Sequence, residues 1–517
     1  MKRYLISVLL LVVLTAGVFQ NGDKDKELSI NNLKSNLEYL ASDKLEGRYT
    51  GSTGANMAAQ FIASELKKYG VKTFENNSNY FQDFPLNSNT LTQASTLTLV
   101  YNQDDKVKSE ILNISKEFSA WGAFMPGSLD TLKNYELVFV GYGISAPEYK
   151  YDDYAGEDVK GKVVVILSGE PYSDDPNYFN GKAPTQYSNI LSKCFFAASK
   201  GVAGVIWLVP DMMMFSVDRL NMQSFDEALG FPGNINVHSE FALPPIINLY
   251  PEGAKKLFEN EKSEYDKIQT ITKSNAEIDR FEFNKRIKLS LSRNVHGLTG
   301  RNVIGLIEGS DPKLKNEFVT ISAHYDHLGI KNGQVFNGAD DNGSGVVAVL
   351  EIMRNLAREK KNARSIIAIF YTGEEEGLLG SAYFVQKFNN PEKIVANLNI
   401  DMCGREEIDD IFCVGPDLCS TDLNKIIQEQ NQKLTQFKIN YSNSNYEYIN
   451  RSDVVPYYSR NIPVADFNDD MKMDYHRPSD DVDKIKFEKI YRTLTLVKSI
   501  AVEIANRKNK LNFSGSN

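Results

Sequence analysis

Five short stretches of this chain place histidine and carboxylate side chains where they could bind a divalent metal ion. Imidazole nitrogen and carboxylate oxygen are ordinary ligands for such ions. The first stretch runs Ile321-Ser-Ala-His324-Tyr-Asp326-His327. An apolar strand leads into His324, and Asp326 stands where a carboxylate orients an imidazole by accepting its second ring proton. The second, Gly338-Ala-Asp340-Asp341-Asn-Gly-Ser-Gly345, sets two acids in a glycine-rich loop that opens a helix. The third, Tyr371-Thr-Gly-Glu374-Glu375-Glu376-Gly-Leu-Leu-Gly380, crowds three acids at the end of an apolar strand. Their mutual repulsion would be relieved by bound cations. The fourth is Asn399-Ile-Asp401-Met, and the fifth is Asp474-Tyr-His476-Arg-Pro-Ser-Asp480-Asp481.

Each stretch alone has a plainer explanation. A lone His324 would be structural, Asp341 would cap a helix, and Glu374 to Glu376 would be a solvated charge run. The last account is weakened by the apolar strand before the acids and the Gly-Leu-Leu-Gly after them, which enclose the turn. The five stretches share one domain and lie mostly at strand ends, where open α/β sheets build their active sites.

The elements that must position these residues are legible in the hydrophobic pattern. Residues 286–508 alternate strand and helix. Strands are predicted at Phe318–Ala323, Ser365–Tyr371, Val395–Ile400 and Ile462–Phe467, as apolar runs suited to strands covered on both faces. Helices are predicted at Val346–Arg358 and Phe487–Asn506. The pattern predicts an α/β fold with three α/β/α layers and a mostly parallel central sheet. Residues 28–90 read as a helical part of the same domain. Leu33, Leu37, Leu40 and Leu45 share one face, and a second helix runs from Gly54 to Tyr69 before Gly70 stops it. Residues 91–285 read as a smaller, mainly β insert domain. Its expected strands are Glu136–Gly141, Lys162–Leu167, Val202–Val209 and Pro244–Tyr250, with a helix at Ile190–Lys200.

Two domains fit a length of 517 residues, since single cores stop growing at roughly 250–300. A net charge of −9 argues against nucleic acid as a partner, which would call for a basic face. Met1-Lys2-Arg3 followed by an apolar run from Tyr4 to Phe19 reads as a signal peptide over residues 1–20, with cleavage near Thr15, Ala16 and Gly17. That predicts export to the periplasm or the outside, with no stable membrane insertion after cleavage. Cys194, Cys403, Cys413 and Cys419 form neither a disulfide framework nor a structural zinc pattern. A Cys413–Cys419 bridge and four buried thiols both stay open.

In type, order and spacing, the five stretches resemble metallopeptidase family twenty-eight, the di-zinc aminopeptidases, over roughly residues 300–485. The stretch LASDKLEGRYTGSTGA resembles the N-terminal helical portion of bacterial members. ELVFVGYGISAPEYKYDDYAGEDVKGKVVVILSGEP resembles a protease-associated insert domain. The resemblance implies two Zn2+ per chain. It makes Asp341 the carboxylate shared by both metals, completes one site with Glu375 and His476, and the other with His324 and Asp401. It makes Glu374 the general base acting on a metal-bridged water. Asp326 would stand behind His324, and Asp480 or Asp481 near His476. Asp340 and Glu376 are the alternatives where two acids adjoin. His238, His296 and His327 have no role in the family pattern, though His327 shares a ligand-bearing loop. Val454, after Ser452 and Asp453, departs from the pattern, since many bacterial relatives carry histidine there.

The implied function is a secreted exopeptidase, foremost an aminopeptidase acting on peptides. A carboxypeptidase or dipeptidase of the same family is the alternative, as is a receptor-like binding module on the same fold. A one-zinc glutaminyl cyclase is a further rival, which generally lacks the insert. Oligomeric state is not legible.

Overall fold

The computed structural model describes residues 26–514 apart from 75–77, 115, 122–130, 172, 176, 180, 182–184, 189, 210–243, 272–277, 332 and 406. The signal peptide read at residues 1–20, and His238, therefore lie outside the described residues. The chain divides into two compact units, Met1–Phe84 with Thr299–Asn517, and Pro85–Leu298. The boundaries fall inside two long strands, Phe81–Leu91 and Arg293–Ile307.

The first unit is built on a mixed, mostly parallel sheet. Its centre runs Ser365–Tyr371, Phe318–His324, Ile394–Asp401, Val464–Asn468, each parallel to the next. Antiparallel neighbours flank this group, Arg293–Ile307 on one side and Asp410–Val414 on the other. Every residue of Ser365–Tyr371 is buried, and successive side chains of a strand point to opposite faces. Ile366, Ala368 and Phe370 accordingly join one apolar cluster, while Ile367, Ile369 and Tyr371 join another. Two covered faces make the three layers.

Four helices contribute much of the first cluster. Residues 26–40 are helical and bury Leu33, Leu37 and Leu40. Thr53–Lys68 starts at Ser52, whose side chain accepts from the Ala55 N–H at 3.1 Å, an N-cap. Gly345–Glu359 and Phe487–Asn506 lie over the strands ending at His324 and Asp401. Phe487–Asn506 buries Ile490, Leu494, Val497, Ala501 and Ile504, a helical spacing. The second cluster takes Phe384 and Val385 from the helix Leu379–Lys387, and Tyr457.

The second unit carries an eight-stranded sheet. Thr131–Phe139, Val163–Leu167, Gly204–Leu208 and Ile246–Leu249 run parallel through its middle. The rest of the sheet is antiparallel: Phe281–Ser290 pairs with Thr131–Phe139, Thr96–Gln103 and then Lys106–Leu112 follow, and Phe118–Trp121 edges the other side. Phe281–Ser290 alternates buried and exposed side chains, as a strand with one dry face does.

All four cysteines are free and buried. Cys413 and Cys419 form no bridge, and burial pushes both thiols up. Among the described residues no helix is long and apolar enough to cross a membrane.

Leu350 is fully buried between helix and sheet. Leu350→Ala removes its packing and leaves a cavity, at a cost of about 2–5 kcal/mol. A denaturant titration should show the midpoint of the first unit falling, with that of the second unit unmoved.

Candidate metal centre

The parallel register brings the first ligand pair together. Ser322 lies opposite Asn399, so two residues on, His324 and Asp401 stand level at the carboxyl ends of adjacent strands. His324 Nε2 is 3.2 Å from Asp401 Oδ1 and 3.4 Å from Asp341 Oδ1. On the other side His324 lies opposite Tyr371. The chain then turns through Gly373, whose φ is 74°, and delivers Glu374 and Glu375. Glu374 Oε2 comes to 3.8 Å from His324 Nε2.

Asp341 comes from the loop before the helix Gly345–Glu359. Asp480 accepts from the backbone N–H groups of Asp340 and Asp341 at 3.0–3.1 Å. The Asn342 side chain accepts from Gly345 N–H at 2.9 Å and Met402 N–H at 3.2 Å, and donates to the Ile400 carbonyl at 2.9 Å. A Cβ on Gly345 would fall 2.3 Å from Asn342 Oδ1 and 2.4 Å from the Ile400 carbonyl, so this approach needs glycine. Asp340 points elsewhere, accepting from Gly404 N–H at 2.7 Å. Glu376 bonds to Tyr49. His476, with φ 55°, sets its Nε2 3.2 Å from Asp341 Oδ2 and 3.0 Å from Glu375 Oε2.

One oxygen of Asp341 therefore faces His324 and Asp401, and the other faces His476 and Glu375. These separations of 3.0–3.4 Å suit donors sharing an ion. Tetrahedral ligands at zinc distances stand roughly 3.3 Å apart. Asp341 Oδ2 is buried without a hydrogen-bond partner, the state of an oxygen whose partner is an ion. The donor set of imidazole and carboxylate fits zinc.

His327 was not assigned a role by the sequence pattern. Its Nδ1 lies 2.8 Å from Glu375 Oε1 and 3.7 Å from Asp341 Oδ2. Among the described residues, His327, Asp341 and Glu375 form one group able to hold an ion, and His324, Asp341 and Asp401 form another. His327 and His476 thus approach the same two carboxylates. His476 is nearer Asp341, while His327 takes the far oxygen of Glu375 in hydrogen-bond range and positions that side chain. The signal in the sequence was only its place three residues after His324.

The charges perturb one another strongly. Burial opposes ionisation of Asp341, yet His327, His324 and His476 hold its carboxyl well below the usual range. Glu375 is likewise held down to about 2, against burial, chiefly by His476. The same contacts raise His476 to about 10 although burial disfavours its charge. Glu374 goes the other way: burial, then repulsion from Glu375, Asp453 and Asp401, pushes it well above the usual carboxylate range.

Two expected supporting contacts differ. His324 Nδ1 lies 3.2 Å from the Asp326 carbonyl and 3.8 Å from its carboxylate. The carboxylate instead accepts from the Thr50 hydroxyl at 2.8 Å and the Glu374 N–H at 3.3 Å. Asp480 serves the Asp341 loop and Arg405, and Asp481 accepts from Asn337. Neither bonds to His476.

Arg48 is the functional residue that sequence reasoning missed. It is buried, and its guanidinium donates to the carbonyls of Tyr325 at 2.8 Å, Leu40 and Asn337 at 2.6 Å, and Gly338 at 2.8 Å. It clamps the loop after His324 to the loop before Asp341. Five fixed donors make arginine suited to this task.

Residues 302–501, which include all the ligand candidates, match the model of peptidase family M28. Over these residues the chain is similar to that family. A probable leucine aminopeptidase of Trichophyton verrucosum is 30% identical over 203 residues, 38% of this chain and 56% of that protein. Aminopeptidase YwaD of Bacillus subtilis is 27% identical over 222 residues, 41% and 46% of the two chains. The chain spans about half the length of these curated relatives. Among solved structures, the aminopeptidase from Aneurinibacillus sp. strain AM-1 aligns over 94% of this chain and 96% of its own, with a TM-score of 0.55 and 20% identity. That is a likeness of fold. The M28 match does not extend to Pro85–Leu298.

Arg48 and Thr50 lie outside the M28 match, yet they hold its loops. Arg48→Met should weaken metal retention about 10–100-fold, the range for supporting contacts at metal sites. Arg48→Lys should fall between, and Thr50→Val should do less. Metal content after dialysis against graded chelator, with circular dichroism to confirm folding, checks the order.

Proposed function

We propose that this chain is an exported di-zinc metallo-exopeptidase, an aminopeptidase that removes N-terminal residues from peptides. The observation that carries the reading is Asp341 between two ligand groups, with Glu374 beside one of them. His324 and Asp401 would hold one ion, Glu375 and His476 the other, and Asp341 both. The chemistry that bound zinc supplies is acidification of a water and polarisation of the scissile carbonyl.

The chain's own groups do the rest. Glu374 takes the proton of the attacking water and hands it to the leaving amine. Its burial favours the protonated form, which suits a group that must carry that proton. His327 holds Glu375 by its other oxygen. Arg48 and Asp480 keep the loops of His324 and Asp341 in place. The aminopeptidase relatives at 27–30% identity support the choice of N-terminal cleavage. The basic start and apolar run of residues 1–20 support export.

Purified protein should carry two zinc per chain and hydrolyse aminoacyl-nitroanilides, with activity lost to chelator and restored by zinc. Glu374→Gln should keep its metal and lose roughly 10²–10⁴-fold in kcat. Asp341→Asn should lose metal and activity together. A folded, zinc-loaded Glu374→Gln with near-normal turnover would remove Glu374 from the base role.

A further inference from the structure

Arg451 has no task in the hydrolysis described above. It lines the same cavity of about 80 Å³ as His324, Glu374 and Asp401, and it is the arginine of that lining, which holds no lysine. Although Asp470 lines the cavity too, no carboxylate among the described residues pairs with the Arg451 guanidinium. Tyr448 has contacts with both. Its hydroxyl donates to Asp470 at 3.4 Å, while Arg451 lies 5.9 Å from its ring centroid. The one hydrogen bond of the guanidinium runs to the Met471 thioether at 3.5 Å. A thioether and a ring face use little of a five-donor fork. The exposed fork thus reaches the cavity with most of its donors open.

Two divalent ions would offset the carboxylates of Asp341, Glu374, Glu375 and Asp401, which leaves Asp466 and Asp470 as the other acids of the lining. In the loaded cavity Arg451 is the side chain that would attract an anion. We propose that Arg451 is a specificity residue that receives a carboxylate of the substrate close to the scissile bond. Guanidinium and carboxylate pair through two parallel hydrogen bonds, which fix orientation as well as charge. The preferred substrates then carry a carboxylate within one residue of the bond. Two sources share that chemistry, the C-terminal carboxylate of a dipeptide and an acidic first side chain. The inference rests on the hydrolytic reading of the site.

The test uses the zinc-loaded full chain and two matched pairs, Leu-Gly against its C-terminal amide, and glutamyl-nitroanilide against glutaminyl-nitroanilide. The expected result is at least a tenfold preference in kcat/KM for the charged member of one pair. Preference in the first pair marks the dipeptide carboxylate, and in the second the acidic side chain. Arg451→Met should bring the ratio close to one through KM, and Arg451→Lys should retain part of it, since lysine keeps charge without the fork. No preference in the wild type, or a preference that survives Arg451→Met, overturns the proposal. If the wild type cleaves none of the four, the peptidase reading falls instead. Calorimetric binding of Leu-Gly against its amide, in wild type and Arg451→Met, then decides Arg451 by itself.

Discussion

A carboxylate shut away from water is the constraint around which the first unit is organised. Burying an unpaired carboxylate costs several kcal/mol, and it stays ionised only beside compensating charge. Asp341 and Glu375 are nearly inaccessible and remain ionised against imidazoles. Beneath them lies a second tier of the same kind. Arg405 reaches Asp480, Lys489 pairs with Asp469, and both cations are buried. Asp480 links the tiers, because it accepts from the backbone that carries Asp341. The lower tier fixes where the upper charges stand, and the geometry of the upper tier is one that a metal ion completes.

Strand register delivers the His324–Asp401 pair of this arrangement. Polar side chains inside the sheet keep neighbours aligned: Ser322 donates to Asn399, Asn397 donates to Thr320, and Asn399 donates to Asp466. These bonds run through otherwise apolar strands toward the carboxyl ends where His324 and Asp401 sit. Slippage of one residue would turn each side chain to the opposite face. Buried partners lock the register because an unmatched polar group there is costly.

Much of this was legible in the sequence because it was periodic or local. The runs Ser365–Tyr371 and Phe487–Asn506 announce strand and helix at the observed limits, and His324 and Asp401 end their strands where the pattern put them. Contacts formed by the folded backbone were not legible. Asp326 stands two residues from His324, which invites pairing their side chains, yet the nearer acceptor is the carbonyl of the same loop. Asp480 stands four residues from His476, but two aligned backbone N–H groups claim it. Leu40 apart, the partners of Arg48 and Thr50 lie 276–290 residues away along the chain, and nothing in composition marks an arginine that will bind carbonyls. The strands Arg293–Ile307 and Asp410–Val414 are not among the expected ones, although Ile411–Val414 is a short apolar run.

The clamp made by Arg48 also bears on how the domain folds. Its bond to the Tyr325 carbonyl joins residues 277 apart, and the whole second unit lies in the intervening chain. Closing so long a loop carries an entropic cost that must be met before the contact returns anything, and contacts of high sequence separation form slowly. A chain emerging N-terminus first would hold Arg48 without three of its four carbonyls until the loops near residues 325 and 338 exist. The ligand cage is thus a late-assembling, high-contact-order feature, completed only once the two segments of its own domain have met.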